Sequence, residues 1–404
     1  MQTHRGYTQV IAGSVTASLL AASALAGDWP QWRGPNRNGM SDEGGWNPKA
    51  LEGGAKVAWR ASIGEGYASP VIAGGKVYAT GNSNGQDRVY CFDAASGALL
   101  WNQGHPAEGG GDAYKGPRAT PAVEGGKLFA MSREGAVVCL DAADGKVVWR
   151  KNLVADAGIA NLNWGLAGSP LVVGDLLILN AGSSGLALKK DTGAVAWSTG
   201  TGVGGYASPV ACTLDGKPGL LIFGAEALFG VTADSGKVLW SHPWKTSYNV
   251  NAPDPVPLGS KVFISSGYGS GSAVLDLAQT PPAVVWQNKL IASQFASSIL
   301  REGYLYGCDG NAGKGRLRCV EFETGKEVWS EDTGFSSLIL VDGKLLILHE
   351  AGKLTIAEAT PKGFARLSEA QALDRKLCWT APAFSGGRVY CRNQPGDLVC
   401  IDVR

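Results

Sequence analysis

The chain has 404 residues, 58 of them Gly, with 45% apolar and 18% charged side chains and a formal charge of +1. Gly stands at about twice its usual ~7% without a Gly-X-Y period, which excludes collagen, while the apolar content excludes a disordered chain and no apolar run is long enough to span a bilayer. With 36 Lys+Arg against 35 Asp+Glu and no basic cluster, the chain carries no electrostatic footprint for nucleic acid or an anionic membrane.

In chain order, Arg5 precedes a small-residue apolar segment from Val10 to Ala26 that ends in Ala24-Leu25-Ala26. A short apolar core with an A-x-A end predicts a cleaved signal peptide over 1–26, hence an exported, periplasmic or extracellular protein. Asp28-Trp29-Pro30 follows at once and does not continue a helix. No Cys lies near the cleavage point, so no lipid anchor is expected there. Residues 27–55 read as an N-terminal arm ahead of the first predicted strand, 56–60.

From that strand onward the chain repeats. YCFDAASGALLW ends at Trp101, VCLDAADGKVVW at Trp149, LALKKDTGAVAW at Trp197, FGVTADSGKVLW at Trp240 and CVEFETGKEVW at Trp329. VLDLAQTPPAVVW closes at Trp286, and LTIAEATPKGFARL puts Leu367 where the others have Trp. The column Asp93, Asp141, Lys189, Thr232, Asp276, Glu321, Glu358 and Asp402, spaced by 37 to 48 residues, marks eight units. Within each unit, apolar stretches are cut by Gly, Asp and Ser, with GG, DG and SG as hairpin turns. Four short strands per ~45 residues is the period of a propeller blade.

The expected fold is all-β, a single eight-bladed β-propeller over 56–404 with four antiparallel strands per blade. The last unit lacks a fourth strand, and Lys56-Val57-Ala58-Trp59-Arg60 lacks a unit. Strand 56–60 should therefore join the C-terminal blade and leave neither end a free edge. Trp59, Trp101, Trp149, Trp197, Trp240, Trp286 and Trp329 then form one column, expected to wedge between blades with the indole N–H on a carbonyl.

On these motifs, best formed from Asp141 to Trp149, Glu321 to Trp329 and Asp93 to Trp101, the chain resembles the pyrroloquinoline-quinone-type β-propeller repeat family across 56–404. The segment DWPQWRGPNRNG, Asp28 to Gly39, is similar to the opening of many exported bacterial propellers of unassigned activity. The resemblance implies either of two roles. One branch of the family comprises quinone-dependent alcohol and sugar dehydrogenases that use calcium; another is the non-catalytic eight-bladed propeller of outer-membrane protein assembly. The dehydrogenases' disulfide between adjacent Cys is absent, since the closest pair is Cys391 and Cys400. No D-x-D or EF-type spacing supplies a calcium site either. The assembly propeller's best-known member is lipid-anchored, which this leader does not reproduce.

Aligned entrances to the first strand of each unit are GYASP, GPRATP, GLAGSP, GYASP, NAPDP, QFASS, GFSSL and CWTAP. They carry Tyr67, Arg118, Leu166 or Trp164, Tyr206, Asn251, Phe295, Phe335 and Trp379 to one rim. Aromatic rings around one guanidinium suit a flat anionic ligand, a sugar or a peptide, or else plug the mouth. Asp254, in NAPDP, is the candidate catalytic base if the chain is a dehydrogenase, with Arg118 on the quinone; otherwise it caps a turn. The connection from Asn102 to Pro117 contains GGGDAYKG and is a candidate flap.

His105, His242 and His349 are far apart, with no zinc motif, no G-x-S-x-G elbow and no phosphate loop, so no metal site is expected. Cys91, Cys139, Cys319 and Cys400 share one small inward position. Cys308 with Cys319 and Cys391 with Cys400 are the candidate disulfides. The function expected first is a monomeric, non-catalytic binding or assembly scaffold that takes a protein partner or small ligand on its rim or outer faces. A dehydrogenase using pyrroloquinoline quinone (PQQ) with calcium, its site degenerate, is the alternative, and a polysaccharide-binding module the next.

Overall fold

The computed structural model describes residues 27–107, 109, 114–374 and 377–404; the expected signal peptide, 1–26, lies outside them. Each repeat unit folds into one four-stranded antiparallel sheet, and eight such sheets follow one another along the chain. Blade 1 runs through Val71–Ala73, Lys76–Ser83, Gln86–Asp93 and Leu99–Pro106. Middle strands are covered on both faces by neighbouring blades, so they read as continuous apolar runs, as in Lys344–His349 of blade 7. Outer strands alternate instead: in Val147–Asn152 only Trp149 is buried.

The first strands lie innermost and touch across blade boundaries, Val71–Ala73 against both Ala122–Glu124 and Ala383–Ser385. Closure takes the expected form. Val57–Ser62 pairs antiparallel with Asp397–Asp402, Trp59 facing Cys400, and thereby becomes the outer strand of blade 8. No helix among the described residues is long and apolar enough to cross a membrane.

Three columns of the repeat meet at each blade boundary. The indole N–H of Trp149 donates to Lys190 O at 2.9 Å, that of Trp197 to Ala233 O at 3.2 Å, and that of Trp286 to Phe322 O at 2.8 Å, each acceptor lying in the next blade. Trp59 and Trp329 do the same to Ala94 O and Thr360 O. Trp101 is different. Its N–H has no acceptor, because the Tyr78 hydroxyl donates to the equivalent carbonyl, Ala142 O.

The indoles of Trp59, Trp101, Trp149, Trp197 and Trp286 also lie on the turn glycine of the next hairpin. A Cβ on Gly193 would stand 2.6 Å from the Trp149 ring, and Gly193 has φ +70°. Directly across the ladder from the Trp column stands a small residue: Cys91 faces Trp101, Cys139 faces Trp149, Ala187 faces Trp197 and Gly230 faces Trp240. That opposition explains the shared Cys position.

Blade 7 departs from the repeat and corrects one sequence assignment. Ile356 stands in the small column, and its partner is Ser368, not Leu367. The ladder slips by one residue between Ile356 and Ala357, which makes Leu367 the bulge. The vacant wedge is filled from elsewhere. The Ser368 hydroxyl donates to Pro48 O, and the arm residues Trp46 and Leu51 pack in the same core as Ile356, Phe384 and Ile401.

All eight Cys are free thiols. The candidate pairs fail on geometry. Cys391 faces Val399, so its neighbour Cys400 points to the other face of the sheet; Cys308 faces Leu317, which leaves Cys319 diagonal to it. Burial holds these thiols protonated, Cys308 and Cys319 each pushed up to about 11.

The N-terminal arm crosses the channel. Trp29 makes a two-bond bridge with Ile72 of blade 1, and Pro30 O accepts from Val123 N of blade 2. The Arg37 guanidinium reaches Pro170 O and, at 3.4 Å, Pro209 O, at the entrances of blades 3 and 4. Trp32 reaches Asp254 of blade 5, and Arg33 donates to Ser298 O of blade 6 at 2.7 Å. Met40–Ser41 adds a parallel strand to blade 7, and Glu43 accepts from Gly387 N of blade 8.

Candidate binding site at the channel mouth

Above the arm the channel opens into a cavity of about 620 Å³. Its position follows from the chain path, since the residues before each inner strand converge on one end of the ring whatever their separation in sequence. Six of the eight aligned rim residues line it: Tyr67, Arg118, Trp164, Tyr206, Phe295 and Trp379. Two do not. Asn251 is fully buried, its amide donating to Gly224 O, Ala225 O and Trp244 O and its oxygen accepting from Ser266, so Ala252 takes the rim position. Phe335 is 2% exposed and meets Phe295 edge-on at 4.7 Å. Leu166 is also fully buried, so of the two alternatives Trp164 reaches the cavity, beside Ala167 and Ser169 of the same blade.

The walls are aromatic on two sides. Where blades 8 and 1 meet, Tyr67 stacks on Trp379 with centroids 5.4 Å apart and planes 19° apart, and Tyr114 and Phe295 tilt against the same indole. Across the ring, Trp164 packs against Tyr206 at 6.0 Å, and Tyr268 lines the same side. Burial pushes Tyr206 and Tyr268 above the ordinary phenol range, so both present protonated hydroxyls. Trp32, from the arm, also lines the cavity.

Beneath the rings runs a circle of hydroxyls. Ser69 N donates to the Thr120 hydroxyl at 2.9 Å, Thr120 N to Ser169, Ser169 N to Ser208, Ser208 N to Asp254 and Asp254 N to Ser297. The first five blades thus tie an entrance N–H to a side chain of the next blade. This is the local reason for the repeated S-P and T-P dipeptides: the residue before Pro is held extended, and its side chain supplies the acceptor for the preceding blade.

Asp254, the candidate base, belongs to this circle. One carboxylate oxygen accepts from Ser208 N at 2.8 Å and the other from the Trp32 indole at 2.6 Å. It is 5% exposed and is the counter-charge of two arginines. Burial lowers Arg33 and brings Arg37 down to about 10, while Asp254 pulls both back up. Such a carboxylate locks the arm to blade 5.

Arg118 is likewise engaged. Its Nε donates to Trp164 O at 2.7 Å and its Nη2 to Tyr114 O at 2.9 Å, and the guanidinium lies 5.2 Å from the Tyr67 ring centroid. It fixes the backbone beneath two wall aromatics. Glu350, the other carboxylate of the lining, accepts from the Trp379 indole at 2.7 Å and from Gly313 N at 2.6 Å.

A calcium ion needs six to eight converging oxygens. Both lining carboxylates are already turned to N–H donors, no group of three or more His, Cys, Asp or Glu is placed to hold a metal among the described residues, and no adjacent thiols face the cavity. The lining does not fit a calcium-held quinone.

Sequence reasoning missed Trp32, Tyr114, Tyr268, Gln294 and Glu350. Tyr114 and Tyr268 sit in loops outside the aligned entrances, and Trp32 sits in the arm, so the repeat ruler does not reach them. Of the candidate flap, residues 108 and 110–113 lie outside the described residues, and the blade 1 outer strand runs on to Pro106, so its first residues are strand.

The sequence matches the family described as outer membrane protein assembly factor BamB over residues 49–118 and 85–331. No curated protein matches the chain. Among solved structures it is similar to the quinohemoprotein alcohol dehydrogenase of Comamonas testosteroni, at 15% identity and TM-score 0.71 over 93% of this chain and 80% of that one. BamB from Moraxella catarrhalis superposes with TM-score 0.62 at 16% identity, over 86% and 99% of the two chains. A europium-containing methanol dehydrogenase gives 0.69 at 13% identity, over 93% and 98%. At these identities the likeness shows the fold, shared by dehydrogenases and an assembly factor alike.

Proposed function

This chain belongs to the family described as outer membrane protein assembly factor BamB, and on that premise we propose that it is an exported, non-catalytic propeller that binds its ligand or partner at the channel mouth. The observation that carries this reading is the state of the two carboxylates in the mouth. Asp254 and Glu350 each accept two N–H bonds, one at each oxygen, so both carboxylates are committed to holding neighbouring segments of the ring together. The aromatic walls remain open to the cavity.

The test is direct. Purified protein mixed with PQQ and calcium is followed by quinone absorbance and by dye-linked oxidation of methanol, ethanol and glucose. No saturable spectral change and no turnover is the expected result. Saturable turnover, lost in Asp254→Asn, would overturn the reading in favour of a dehydrogenase.

A further inference from the structure

The chemistry of the cavity narrows what it binds. Its charged lining groups are two carboxylates and one guanidinium. The guanidinium donates to two main-chain carbonyls and leans on a tyrosine face. With Asp254 balanced by Arg33 and Arg37 beneath it and Arg118 turned to main-chain carbonyls, the lining aims no guanidinium at an anionic ligand, and Glu350 opposes one. A peptide added as an extra strand needs unpaired main-chain donors, yet the N–H groups of Ser69, Thr120, Ser169, Ser208 and Asp254 are all taken by the side chains of the next blade.

What the mouth does offer is two groups of aromatic rings in its lining above a belt of hydroxyls. Cyclic sugars have this complementary form: apolar C–H faces that stack on indole and phenol rings, and an equator of hydroxyls that both donate and accept. The volume, about 620 Å³, is that of a site for a ligand of several rings. We propose that the channel mouth binds a neutral oligosaccharide, packed against the aromatic walls that carry Trp379 and Trp164, with its hydroxyl edge toward Thr120, Ser169 and Ser208. This rests on the reading of the mouth as a non-catalytic binding site and names its ligand class.

The hydroxyl belt has a second part in the arrangement. Ser169 and Ser208 use a lone pair to accept from the neighbouring blade, which leaves their O–H protons to be donated. Trp32, from the arm, is part of the same lining.

The experiment uses the full mature chain in isothermal titration with hexasaccharides of β-1,4-glucose, β-1,3-glucose, β-1,4-mannose and β-1,4-N-acetylglucosamine, and with hexagalacturonate as the anionic counterpart. Quenching of Trp fluorescence gives an independent readout. At least one neutral hexamer is expected to bind one to one, and hexagalacturonate more weakly. Trp379→Ala and Trp164→Ala, one on each wall, should each weaken that binding by about tenfold, whereas Trp379→Phe, which keeps a ring and loses the N–H to Glu350, should retain most of it. Urea midpoints of the variants identify any that fail to fold; the wall whose variant keeps the parental midpoint carries the comparison.

Silence from all neutral hexamers, preference for the galacturonate, or unchanged affinity in both Ala variants would overturn the proposal. These outcomes are separable from failure of the non-catalytic reading, which only quinone-dependent turnover brings about. Absence of both sugar binding and turnover would leave a non-catalytic mouth whose ligand is not a carbohydrate.

Discussion

Replacing Asp254 by Asn should cost stability. The carboxylate receives the Trp32 indole N–H at 2.6 Å and the Ser208 N–H at 2.8 Å, and a hydrogen bond to a charged group contributes about 1.5–3 kcal/mol. It is also the counter-charge that opposes the cost of burying Arg33, itself 6% exposed. Removing one partner of a buried ion pair costs about 3–5 kcal/mol, because the remaining charge is stranded. We therefore expect Asp254→Asn to lose about 3–5 kcal/mol in urea unfolding at pH 7. Trp32→Phe, which keeps the ring and loses the donor, should lose less. A double-mutant cycle between them should return a coupling of about 1.5–3 kcal/mol. Additive losses, or an Asp254→Asn protein within about 0.5 kcal/mol of the parent, would refute the assignment of this carboxylate to the arm.

Two further predictions concern the ring itself. Gly193→Ala and Gly174→Ala both place a Cβ at positive φ, +70° and +57°, but only Gly193 carries the Trp149 ring, whereas nothing lies within 4 Å of the Gly174 site. Both substitutions should cost about 1–2 kcal/mol of backbone strain. Gly193→Ala should lose a further ~1–3 kcal/mol by overpacking, and equal losses would show that the indole does not seat on the glycine. Asp87 and His105 face each other across blade 1. Burial raises Asp87 to about 6 and lowers His105 to about 4. Between pH 6 and 4 the folded chain takes up a proton at Asp87 that the unfolded chain lacks, and the unfolded chain takes up one at His105, so the two slopes oppose. Asp87→Asn should thus become less stable as pH falls through this window and His105→Gln more stable; parallel pH profiles for the two variants would contradict the pairing.

The ring was legible in the sequence because the repeat samples one arrangement eight times, and a column that recurs at Trp149, Trp197 and Trp286 averages out local noise. Closure was legible for a similar reason: a strand without a unit and a unit without a strand have one mutual solution. Legibility failed where the count of residues shifted by one. In blade 7 the bulge at Leu367 moved the Trp column onto Ser368. At the fifth entrance the alignment took Asn251 for the rim residue, although setting Asp254 level with Ser69 and Ser208 in the hydroxyl circle makes Ala252 the equivalent of Tyr67 and Tyr206. Repeat columns find what every blade shares, whereas a binding site is made from what single blades add. Tyr114, Tyr268 and Glu350 come from such additions, and Trp32, Arg33 and Arg37 come from an arm that has no periodicity. Their partners are set by the ring's three-dimensional closure.

The arm that plugs the channel is held by groups from every blade, from Ile72 in the first to Gly387 in the last. Its binding surface therefore exists only when all eight blades stand in place. The arm, which precedes the first blade in the chain, gains its full set of contacts only in the closed ring. A ring short of one blade would offer the arm a truncated seat, with Arg33 or Arg37 left without its carbonyls or its carboxylate. Arg33, buried, and Arg37, half-buried, thus bind the arm to carbonyls that distant parts of the chain bring together under the mouth.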